Sequence, residues 1–396
     1  MTNAKYQICV RCVMDTTDPH IRFDEKGICN HCHAFDIERG RRGNAEERQS
    51  ALAAIVATIR HRGHGYDHDC ILGVSGGVDS SYLAWLACQL GLRPLAVHLD
   101  GGWNSETAVR NIQNLVTHLN LDLVTYVVDW EEMRALQAAF FRAGVANADI
   151  PQDHAINAAL YHLAAQYGLR YILTGTNSAT ESCLPRAWGH TNRDLRSLKG
   201  IYRHFGGRRF RTYPTVGIAE EFLYYRLYRG IKRIAILDYV PYSRHDAATL
   251  LQDKTGWSSY GDKHHESVLT RFFQAYYLPQ KFGFDKRRAH LSSRVLSGEI
   301  SRGRALAEMT KDPYSPSLLR QDSTYICDKL GILAEELEAL ILSPGRSYRQ
   351  YPSSHYCLEV LRWGLRLWRR FRFHTRKTKV RRAPSTIPVG GETSGQ

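Results

Sequence analysis

The feature that most constrains the fold of this chain is the loop Ser-Gly-Gly-Val-Asp-Ser at residues 75–80. An apolar run at residues 70–74 precedes the loop, and a helical pattern at residues 82–87 follows it. A strand, a glycine loop and a helix start place backbone N–H groups and a helix N-terminus around one small volume, which suits phosphate oxygens. Since Gly76 and Gly77 have no Cβ, the backbone can close on a ligand. The pattern predicts an α/β fold with a pyrophosphate-binding loop.

The same loop indicates a metal ion and a particular nucleotide chemistry. The carboxylate of Asp79 would repel phosphate unless a cation lay between them, which predicts Mg²⁺ held by few protein oxygens and several waters. The motif is not a Walker loop, because the Gly-Lys-[Ser/Thr] ending is missing. It resembles the PP-loop of the ATP pyrophosphatases, which cleave ATP between the α- and β-phosphates and attach AMP to a substrate oxygen. The alternative is an ordinary glycine turn.

Composition is typical of a globular enzyme with anionic ligands. The chain has 396 residues, enough for two or more domains, with 43% hydrophobic and 23% charged residues. It contains no apolar run near the roughly 18–20 residues of a membrane span, and its N-terminus lacks the apolar region of a secretory signal, so we expect a cytoplasmic protein. The formal net charge of +14 favours an anionic binding partner, such as a nucleotide, a sugar acid, nucleic acid or a lipid surface.

Much of this charge belongs to a C-terminal basic tail, for which we predict the bounds 346–396. Residues 362–382 carry ten Lys or Arg and no acidic residue. In a helix Leu361, Leu365 and Trp368 would share one face, so one hypothesis is peripheral contact with the inner membrane or with a glycan-assembly partner. A solvated, partly disordered end is the alternative, particularly after Ala383.

Four cysteines near the N-terminus form two Cys-x-x-Cys pairs separated by 16 residues. Each pair can present two thiolates from one tight turn, and four thiolates make a tetrahedral Zn²⁺ site at the spacing of a zinc ribbon. An iron–sulfur cluster and redox thiols are the alternatives. Because a four-cysteine site has no open position, we expect it to stabilise structure rather than do chemistry. The predicted zinc ligands are Cys9, Cys12, Cys29 and Cys32.

Strands and helices alternate after the ribbon. Strands are predicted at 69–74, 94–99, 121–128 and 171–174, and helices at 79–91, 105–119, 131–143 and 152–168. With the PP-loop resemblance, this alternation implies a doubly wound parallel sheet of the adenine-nucleotide alpha-hydrolase-like type, with an N-terminal zinc ribbon and a helical C-terminal part. The predicted domains are a ribbon at 1–42, a connecting helix at 43–66, a PP-loop domain at 67–245, a helical region at 246–345 and the tail.

Polar residues follow the carboxyl ends of the predicted strands, where ligands bind in such sheets. Residues 100–104 lie at one strand end and residues 175–181 at another. Later in the chain, Lys263 and the basic residues 286–288 interrupt an aromatic and apolar stretch. Cations held at the edge of a core are well placed to neutralise phosphate, although a solvated helix face is the simpler interpretation.

The opening Cys-Val-Arg-Cys-Val-Met-Asp-Thr-Thr-Asp-Pro, the PP-loop, Thr-Gly-Thr-Asn-x-x-x-Glu at 174–181 and Lys-Phe-Gly-x-Asp-Lys-Arg-Arg-Ala-His-Leu-Ser at 281–292 together resemble the N-acetyl sugar amidotransferase family. The resemblance extends from about Cys9 to Leu306. It implies conversion of an acetamido sugar, commonly nucleotide-linked, to its acetamidino form in lipopolysaccharide O-antigen or related glycan synthesis. It also implies ammonia from a separate glutaminase that works with a cyclase-like barrel subunit. Nucleic acid is not expected as a partner.

The resemblance implies a role for each motif residue, with ATP, Mg²⁺ and Zn²⁺ as cofactors. Nucleotide and pyrophosphate contacts are assigned to Ser75, Gly76, Gly77, Asp79, Ser80, Asp100, Gly175 and Thr176. Asp79 would bind Mg²⁺, Lys263 would neutralise phosphate charge, and Asn177 and Glu181 would contact the substrate or steer ammonia. Asp153 and His154 are weaker candidates, which a helix cap and a surface histidine explain equally well.

Two other functions remain open on the sequence. Some PP-loop enzymes that thiolate tRNA also carry zinc ribbons, and such an enzyme would need a reactive thiolate near the adenylate. Cys183 is the one cysteine placed even roughly there. The second alternative is a zinc-ribbon binding module on a nucleotide fold. The chain has no Gly-x-Cys-x-Gly nucleophile elbow and no Cys at position 2, so we expect an external ammonia source.

Overall fold

The structure, a computed structural model, describes residues 6–259 and 267–354 together with Val360 and Gly364. The chain divides into two compact units, Met1–Pro352 and Ser353–Gln396. The proposed amphipathic helix of the tail and the predicted phosphate contact Lys263 lie outside the described residues. The domain bounds predicted within the first unit stay predictions.

A parallel sheet of five strands forms the centre of the first unit. Its spatial order is β3-β2-β1-β4-β5, and every neighbouring pair is parallel. The strands are β1 (Cys70–Gly73), β2 (Pro94–Asp100), β3 (Leu123–Val127), β4 (Tyr171–Leu173) and β5 (Lys232–Ile234). The predicted α/β parallel sheet is confirmed, and its first four strands lie within about two residues of the predicted bounds.

The helices before the C-terminal part are α1 (Asn30–Arg41), α2 (Ala45–Arg62), α3 (Val78–Gln89), α4 (Glu106–Leu119), α5 (Trp130–Ala143), α6 (Ile150–Gln166), α7 (Ser178–Glu181), α8 (Leu195–His204) and α9 (Ile218–Glu220), the last continuing as a π-helix over Glu221–Tyr228. The later helices are α10 (Arg244–Thr255), α11 (Val268–Phe272), a π-helical segment over Phe273–Tyr277, α12 (Leu278–Phe282), α13 (Arg287–Leu296), α14 (Arg302–Met309), α15 (Pro316–Leu330) and α16 (Ala334–Leu342). Among the described residues, no helix is both long and apolar enough to cross a bilayer.

Helices cover both faces of the sheet because successive side chains of a strand point to opposite faces. On β1, Leu72 packs into a cluster with residues of α2, α3 and α10, whereas the adjacent Ile71 packs against α6. Both side chains are fully buried. A strand buried on both faces reads as a continuous apolar run, which is why residues 70–74 were recognisable.

The fifth strand was not predicted from the sequence. Residues 184 onward were expected to be mostly helical, yet Lys232–Ile234 pairs with β4 in parallel. Its three residues are two cations and one isoleucine, and none of them is fully buried, so the apolar run that marks a central strand is missing. Its position at the edge of the sheet explains this composition, since one side of an edge strand is unpaired.

Candidate active site and metal centre

The loop at residues 75–80 joins β1 to α3 and has the backbone that its glycines predict. Gly76 has φ +77°, and a Cβ there would lie 2.4 Å from the carbonyl oxygen of Ala108 on α4. That distance is shorter than atoms tolerate, and the positive φ adds strain for any residue with a side chain. Gly77 is the N-cap of α3, so the helix N-terminus begins directly at the loop. The loop and the helix start therefore form a site suited to an anion.

Two serine hydroxyls hold the loop closed. The backbone N–H of Ser75 donates to Ser80 Oγ at 3.2 Å, and the two serine Oγ atoms lie 3.1 Å apart. The N–H of Gly77 donates to Ser75 Oγ at 3.3 Å. Ser80 Oγ in turn donates to the carbonyl of Gly77 at 3.1 Å. The two serines therefore fix the shape of the turn through hydrogen bonds within the loop.

Residues outside the motif hold the carbonyl of Gly76, and sequence reasoning missed them. Trp257 Nε1 donates to this oxygen at 2.9 Å and Asn111 Nδ2 at 3.2 Å. Asn111 also exchanges two hydrogen bonds with the backbone of Ser258, at 2.8 and 2.9 Å. No local motif marks Asn111, which appears in the sequence as one polar residue on the amphipathic helix α4. Its role follows from contacts with a segment far away in the chain.

Asp79 lies in the first turn of α3 and accepts a hydrogen bond from the hydroxyl of Tyr242. Burial, followed by the charge of Asp79, holds the pKa of Tyr242 far above its usual value, so this hydroxyl stays protonated and remains a donor. A single carboxylate beside a phosphate-binding loop fits Mg²⁺, which binds proteins through one or two carboxylates plus substrate phosphates. Tyr242 orients the carboxylate that would make this contact.

A cavity of about 530 Å³, here called the central cavity, opens beside the loop. It is lined by the ends of β1, β2 and β4, by the start of α6, and by residues of the C-terminal helices. Four residues that the sequence assigned to the site line it: Ser75, Gly175, Thr176 and Glu181. Arg233 of the unpredicted strand β5 lines it too. The sequence predicted that loops at the strand ends would form the site. It did not predict which residues of the C-terminal helices would line it.

Gly175 and Asp100 have positions that explain their residue types. A Cβ on Gly175 would lie 3.3 Å from the backbone carbon of Asp79, so this strand end packs closely on the start of α3. Asp100 Oδ1 accepts a hydrogen bond from the N–H of Gly102 at 2.9 Å and so shapes the turn after β2. Asp100 does not line the central cavity, although the preceding residues 97–99 do.

Asn177 is committed to the local backbone. Its Oδ1 accepts hydrogen bonds from the N–H and the hydroxyl of Thr180, both at 3.0 Å, and its Nδ2 donates to the carbonyl of Gly175 at 3.2 Å. The side chain is the N-cap of α7 and is buried. Glu181, at the end of α7, is the more accessible of the pair, and lines both the central cavity and a neighbouring cavity.

The neighbouring cavity, here called the side cavity, has a volume of about 670 Å³. It lies between α1, the segment after α1, and α7, and it meets the central cavity at Thr176 and Glu181. Arg42 lines it and pairs with Asp238 at 3.1 Å. The side cavity therefore connects the surface near α1 with the end of β4.

Asp153 and Lys286 give the central cavity its titratable chemistry. Lys286 Nζ lies 3.6 Å from a carboxylate oxygen of Asp149. The side chain of Asp153 lines the cavity and is exposed to it, although many protein atoms lie around the carboxyl group. Removal from bulk water, followed by the charge of Asp149, raises the pKa of Asp153 to about 7, against the opposing charge of Lys286. A carboxyl with this pKa can accept or release a proton near neutral pH.

His154, the adjacent candidate, is a structural residue rather than a surface one. Its Nδ1 lies 2.6 Å from the carbonyl oxygen of Asn192, and its Nε2 accepts a hydrogen bond from the N–H of Val216 at 3.3 Å. Burial lowers the pKa of the ring, which favours the neutral form that this pairing requires. The interpretation of His154 as a surface histidine was wrong, since the side chain is buried.

The basic residues 286–288 have three different roles. Lys286 lines the central cavity, while Arg287 pairs with Asp285 through two nitrogens at 2.9 and 2.7 Å. Arg288 lies 2.9 Å from Asp15 and donates to the carbonyl of Val13, both in the N-terminal ribbon. The hypothesis that all three neutralise phosphate is therefore wrong for Arg288, because its charge is compensated by the ribbon.

The four N-terminal cysteines form one buried cluster, with all sulfur atoms within 4.8 Å of one another. Three sulfur pairs lie 3.6 or 3.7 Å apart. Four Zn–S bonds of about 2.3 Å in a tetrahedron would place the sulfurs about 3.8 Å apart, whereas a disulfide requires about 2.05 Å. Backbone N–H groups of Arg11 and Met14 donate to Cys9 and Cys12 Sγ, each at 3.4 Å. The donor set and its spacing fit a zinc ribbon.

The ribbon is attached to helices α13 and α14. Arg302 donates to the carbonyl oxygens of Cys9 and Cys12, at 2.8 to 3.1 Å. The N–H of Val13 donates to Ser292 Oγ at 3.1 Å, and Val13 packs against a small apolar cluster of these helices. The cysteine turn therefore supports the part of the chain that provides Lys286 and its neighbours.

Comparison with known proteins identifies two segments of the chain. Residues 51–211 match the NAD synthase family, and residues 266–375 match the C-terminal domain of WbpG-like LPS biosynthesis proteins. A curated relative, an uncharacterized protein MJ1599 of Methanocaldococcus jannaschii, is 26% identical over 175 residues, which are 43% of this chain and 58% of that protein. The match thus spans little more than half the length of that relative.

Two solved structures are also similar. An NMN synthetase from Francisella tularensis has 15% identity and a TM-score of 0.28, with coverage of 56% of this chain and 100% of that chain. A glutamine-dependent NAD⁺ synthetase from Acinetobacter baumannii, in complex with ADP, has 12% identity and a TM-score of 0.33, with coverage of 74% of this chain and 46% of that chain.

The NAD synthase match covers the loop at 75–80 and the first four strands, and so places the chain in the PP-loop class. The second match adds a C-terminal domain found in lipopolysaccharide biosynthesis. The chain therefore combines an NAD synthase-like segment with a segment similar to the C-terminal domain of WbpG-like proteins, which confirms the resemblance predicted from its motifs.

Proposed function

We propose that the chain is an ATP-dependent amidotransferase that converts the acetamido group of a nucleotide-linked N-acetyl sugar into an acetamidino group for lipopolysaccharide O-antigen or related glycan synthesis. The observation that carries the proposal is the central cavity itself. One end is formed by the PP-loop strand and the other by residues of the WbpG-like domain, including Lys286 and His290. ATP and a sugar substrate would therefore meet in one space.

The chemistry follows from the poor reactivity of an amide. The acetamido oxygen attacks the α-phosphorus of ATP, the bond to the bridging oxygen of pyrophosphate breaks, and an imidate carrying AMP forms. Ammonia then adds to the imidate carbon, a proton leaves the nitrogen, and AMP departs with the original amide oxygen. The protein contributes mainly by holding the amide oxygen in line with phosphorus and by stabilising the charge on pyrophosphate.

Residues of the site have separate tasks in this sequence. The N–H groups and hydroxyls of residues 75–80 bind the pyrophosphate end, and Asp79 would hold Mg²⁺, which neutralises phosphate charge when bound. Asp153, whose pKa is raised to about 7, takes the proton released when ammonia adds. Glu181 lies where the side cavity meets the central cavity and is suited to guide ammonia or ammonium inward.

The ammonia donor in this proposal is a separate glutaminase with a cyclase-like barrel subunit. The proposal is supported by the missing nucleophile-elbow motif and by the side cavity, which joins the surface near α1 to Glu181. Free ammonium should replace the donor in vitro, since the chain needs only the nitrogen nucleophile.

The tRNA thiolation alternative conflicts with the state of Cys183. This thiol is buried, and burial raises its pKa to about 11, so the thiolate that sulfur transfer requires is strongly disfavoured. A Cys183→Ser variant separates the two functions. Amidotransferase activity should be retained, whereas a thiolation enzyme would lose its activity.

The decisive assay uses the full chain with ATP, Mg²⁺, ammonium and nucleotide-linked acetamido sugars. We expect AMP and pyrophosphate in equal amounts, together with a sugar product whose mass reflects replacement of the amide oxygen by an NH group. A Ser80→Ala variant should release less of both. Release of ADP and phosphate, or AMP formation that does not depend on any acetamido sugar, would contradict the proposal.

A further inference from the structure

A third cavity, of about 240 Å³, lies among the C-terminal helices and is distinct in its charge. Five basic side chains line it, and we call it the cationic pocket: Arg244, Lys286, Arg287, Arg294 and Arg304. Glu308 also lines it, but its carboxylate pairs with Lys311 at 2.7 Å. The remaining lining includes the apolar side chains of Leu291 and Ile300. This composition favours an anionic ligand that also has some apolar contact.

Three of the five cations are held in place by carboxylates. Arg287 is bound to Asp285 at 2.7 Å, Arg294 pairs with Glu299 at 3.1 Å, and Lys286 pairs with Asp149 at 3.6 Å. These pairs fix the directions of the side chains and compensate three positive charges. The pocket is therefore ordered before any ligand arrives, which lowers the entropic cost of binding.

The other two cations carry the positive excess. Within residues 6–259 and 267–354, the side chains of Arg244 and Arg304 form neither an ion pair nor a hydrogen bond. Arg244 begins α10 and Arg304 lies in the first turn of α14, so they approach the pocket from two different elements. Two arginines without carboxylate partners at one pocket suit a ligand with about two negative charges, and guanidinium groups match phosphate through paired N–H donors.

The cationic pocket adjoins the central cavity. Four residues line both: Thr180, Gln274, Lys286 and His290. A ligand whose charged group lies between the two arginines would therefore reach the cavity that contains Asp153 and the PP-loop strand end. Arg244, Arg294 and Arg304 were not singled out from the sequence, because the pocket joins residues of α10, α13 and α14, which lie far apart in the chain.

We propose that the cationic pocket is a second anion site, separate from the PP-loop, which binds a phosphate or diphosphate group through Arg244 and Arg304. The evidence for the anion site is the pocket itself and does not depend on the proposed function. Only the statement that the rest of the ligand carries the reacting group into the central cavity rests on the proposed function. Two sources share this chemistry: the phosphates of the sugar substrate, and the pyrophosphate that ATP cleavage releases.

The test is a titration of the full zinc-loaded chain by calorimetry. A non-cleavable ATP analogue with a methylene group between the α- and β-phosphates first occupies the PP-loop, and inorganic pyrophosphate or UDP is then added. We expect a binding event that is about tenfold weaker in Arg244→Gln and in Arg304→Gln, and about a hundredfold weaker in the double variant. Arg320→Gln, which removes an exposed arginine of α15, is the matched control and should bind as the unaltered chain does.

The outcomes separate the two proposals. Stronger binding of UDP than of pyrophosphate assigns the pocket to the substrate's phosphates, and the reverse assigns it to released pyrophosphate; both support the anion site. Equal affinities in the double variant and in Arg320→Gln, or no binding of either probe, would overturn it. Failure of the ATP analogue to bind would instead count against the proposed function, and the pyrophosphate titration without analogue would still test the arginines. If the double variant melts at a lower temperature than the unaltered chain, its weaker binding could reflect unfolding, and the affinities of the two single variants then decide whether the arginines bind the anion.

Discussion

The two ends of the central cavity differ in the protein groups that form them. We call the end next to residues 75–80 the backbone-built end, and the end at Asp149, Lys286 and His290 the side-chain-built end. At the PP-loop end, Ser75 lines the cavity, the adjoining loop of six consecutive residues consists of backbone N–H groups and small side chains, and Gly76 packs closely on α4. At the WbpG-like end, long charged side chains from separate helices meet, and ion pairs such as that between Lys286 and Asp149 hold them. The first end should tolerate almost no change in backbone shape, whereas the second can be adjusted one side chain at a time.

The largest expected effect breaks the backbone-built end. Gly76→Ala should lower ATP cleavage at least about a hundredfold, because the new Cβ meets the Ala108 carbonyl at 2.4 Å and the loop must move. Gly65→Ala is the matched control: its φ is +85°, but nothing lies within 4 Å of the added Cβ. Its cost should be limited to strain of about 1–2 kcal/mol in the free energy of unfolding, with cleavage retained. Pyrophosphate release measures the first effect and denaturant unfolding the second. Equal activity in the two variants would show that the contact with α4 does not matter.

The next largest effect concerns the support of the side-chain-built end. Cys12→Ser should lose one zinc ion per chain, lower the melting temperature and weaken pyrophosphate binding at the cationic pocket, since Arg302 ties the cysteine turn to α14. Cys88→Ser, outside the cluster, should retain zinc and both properties. Metal analysis, thermal melting and calorimetry provide the measurements. A zinc-free variant that binds pyrophosphate normally would show that the ribbon and the pocket are independent.

The two ends also differ in how much the sequence revealed of them. The loop, four strands and the cysteine cluster were predicted because each depends on residues that are adjacent or regularly spaced in the chain. The sequence could not predict the hydrogen bonds from Asn111 and Trp257 to the Gly76 carbonyl, or the ion pair between Lys286 and Asp149. Each of these contacts joins residues more than thirty positions apart. Strand β5 was missed since three residues, two of them cationic, provide no periodic signal.

Asp153 offers a test at the side-chain-built end through pH. Because its pKa is raised to about 7, the carboxyl is protonated below that pH, and kcat/KM for ammonia should rise as pH increases through 7. Asp153→Asn should lose roughly a hundredfold or more in activity and this step of the profile. Asp122→Asn, which alters an exposed carboxylate, should retain both. An unchanged profile in Asp153→Asn would exclude Asp153 as the proton acceptor.

The same substitution should raise the free energy of unfolding, although it lowers activity. A carboxyl whose pKa is higher in the folded than in the unfolded chain destabilises the fold once it ionises, so the penalty is absent below the unfolded value of about 3.9 and complete above about 7. Asp153→Asn should therefore be more stable than the unaltered chain at pH 8, with the difference shrinking as pH falls from 7 toward 4. Loss of activity together with this gain in stability distinguishes a functional carboxyl from one that only supports the fold.

The smallest expected effect concerns the hydrogen bonds that hold the Gly76 carbonyl at the backbone-built end. Trp257→Phe removes the hydrogen bond from Nε1 to the Gly76 carbonyl but leaves that of Asn111, so ATP affinity should fall only about two- to tenfold. Trp85→Phe, on α3, is the matched control and should bind ATP normally. Trp257→Phe combined with Asn111→Ala leaves the carbonyl without either donor, and the loss should exceed the product of the single effects, since the two donors hold one oxygen. Simple multiplication of the two losses would mean that each residue acts elsewhere, and that residues 75–80 keep their shape without help from α4 and the segment at 257–258.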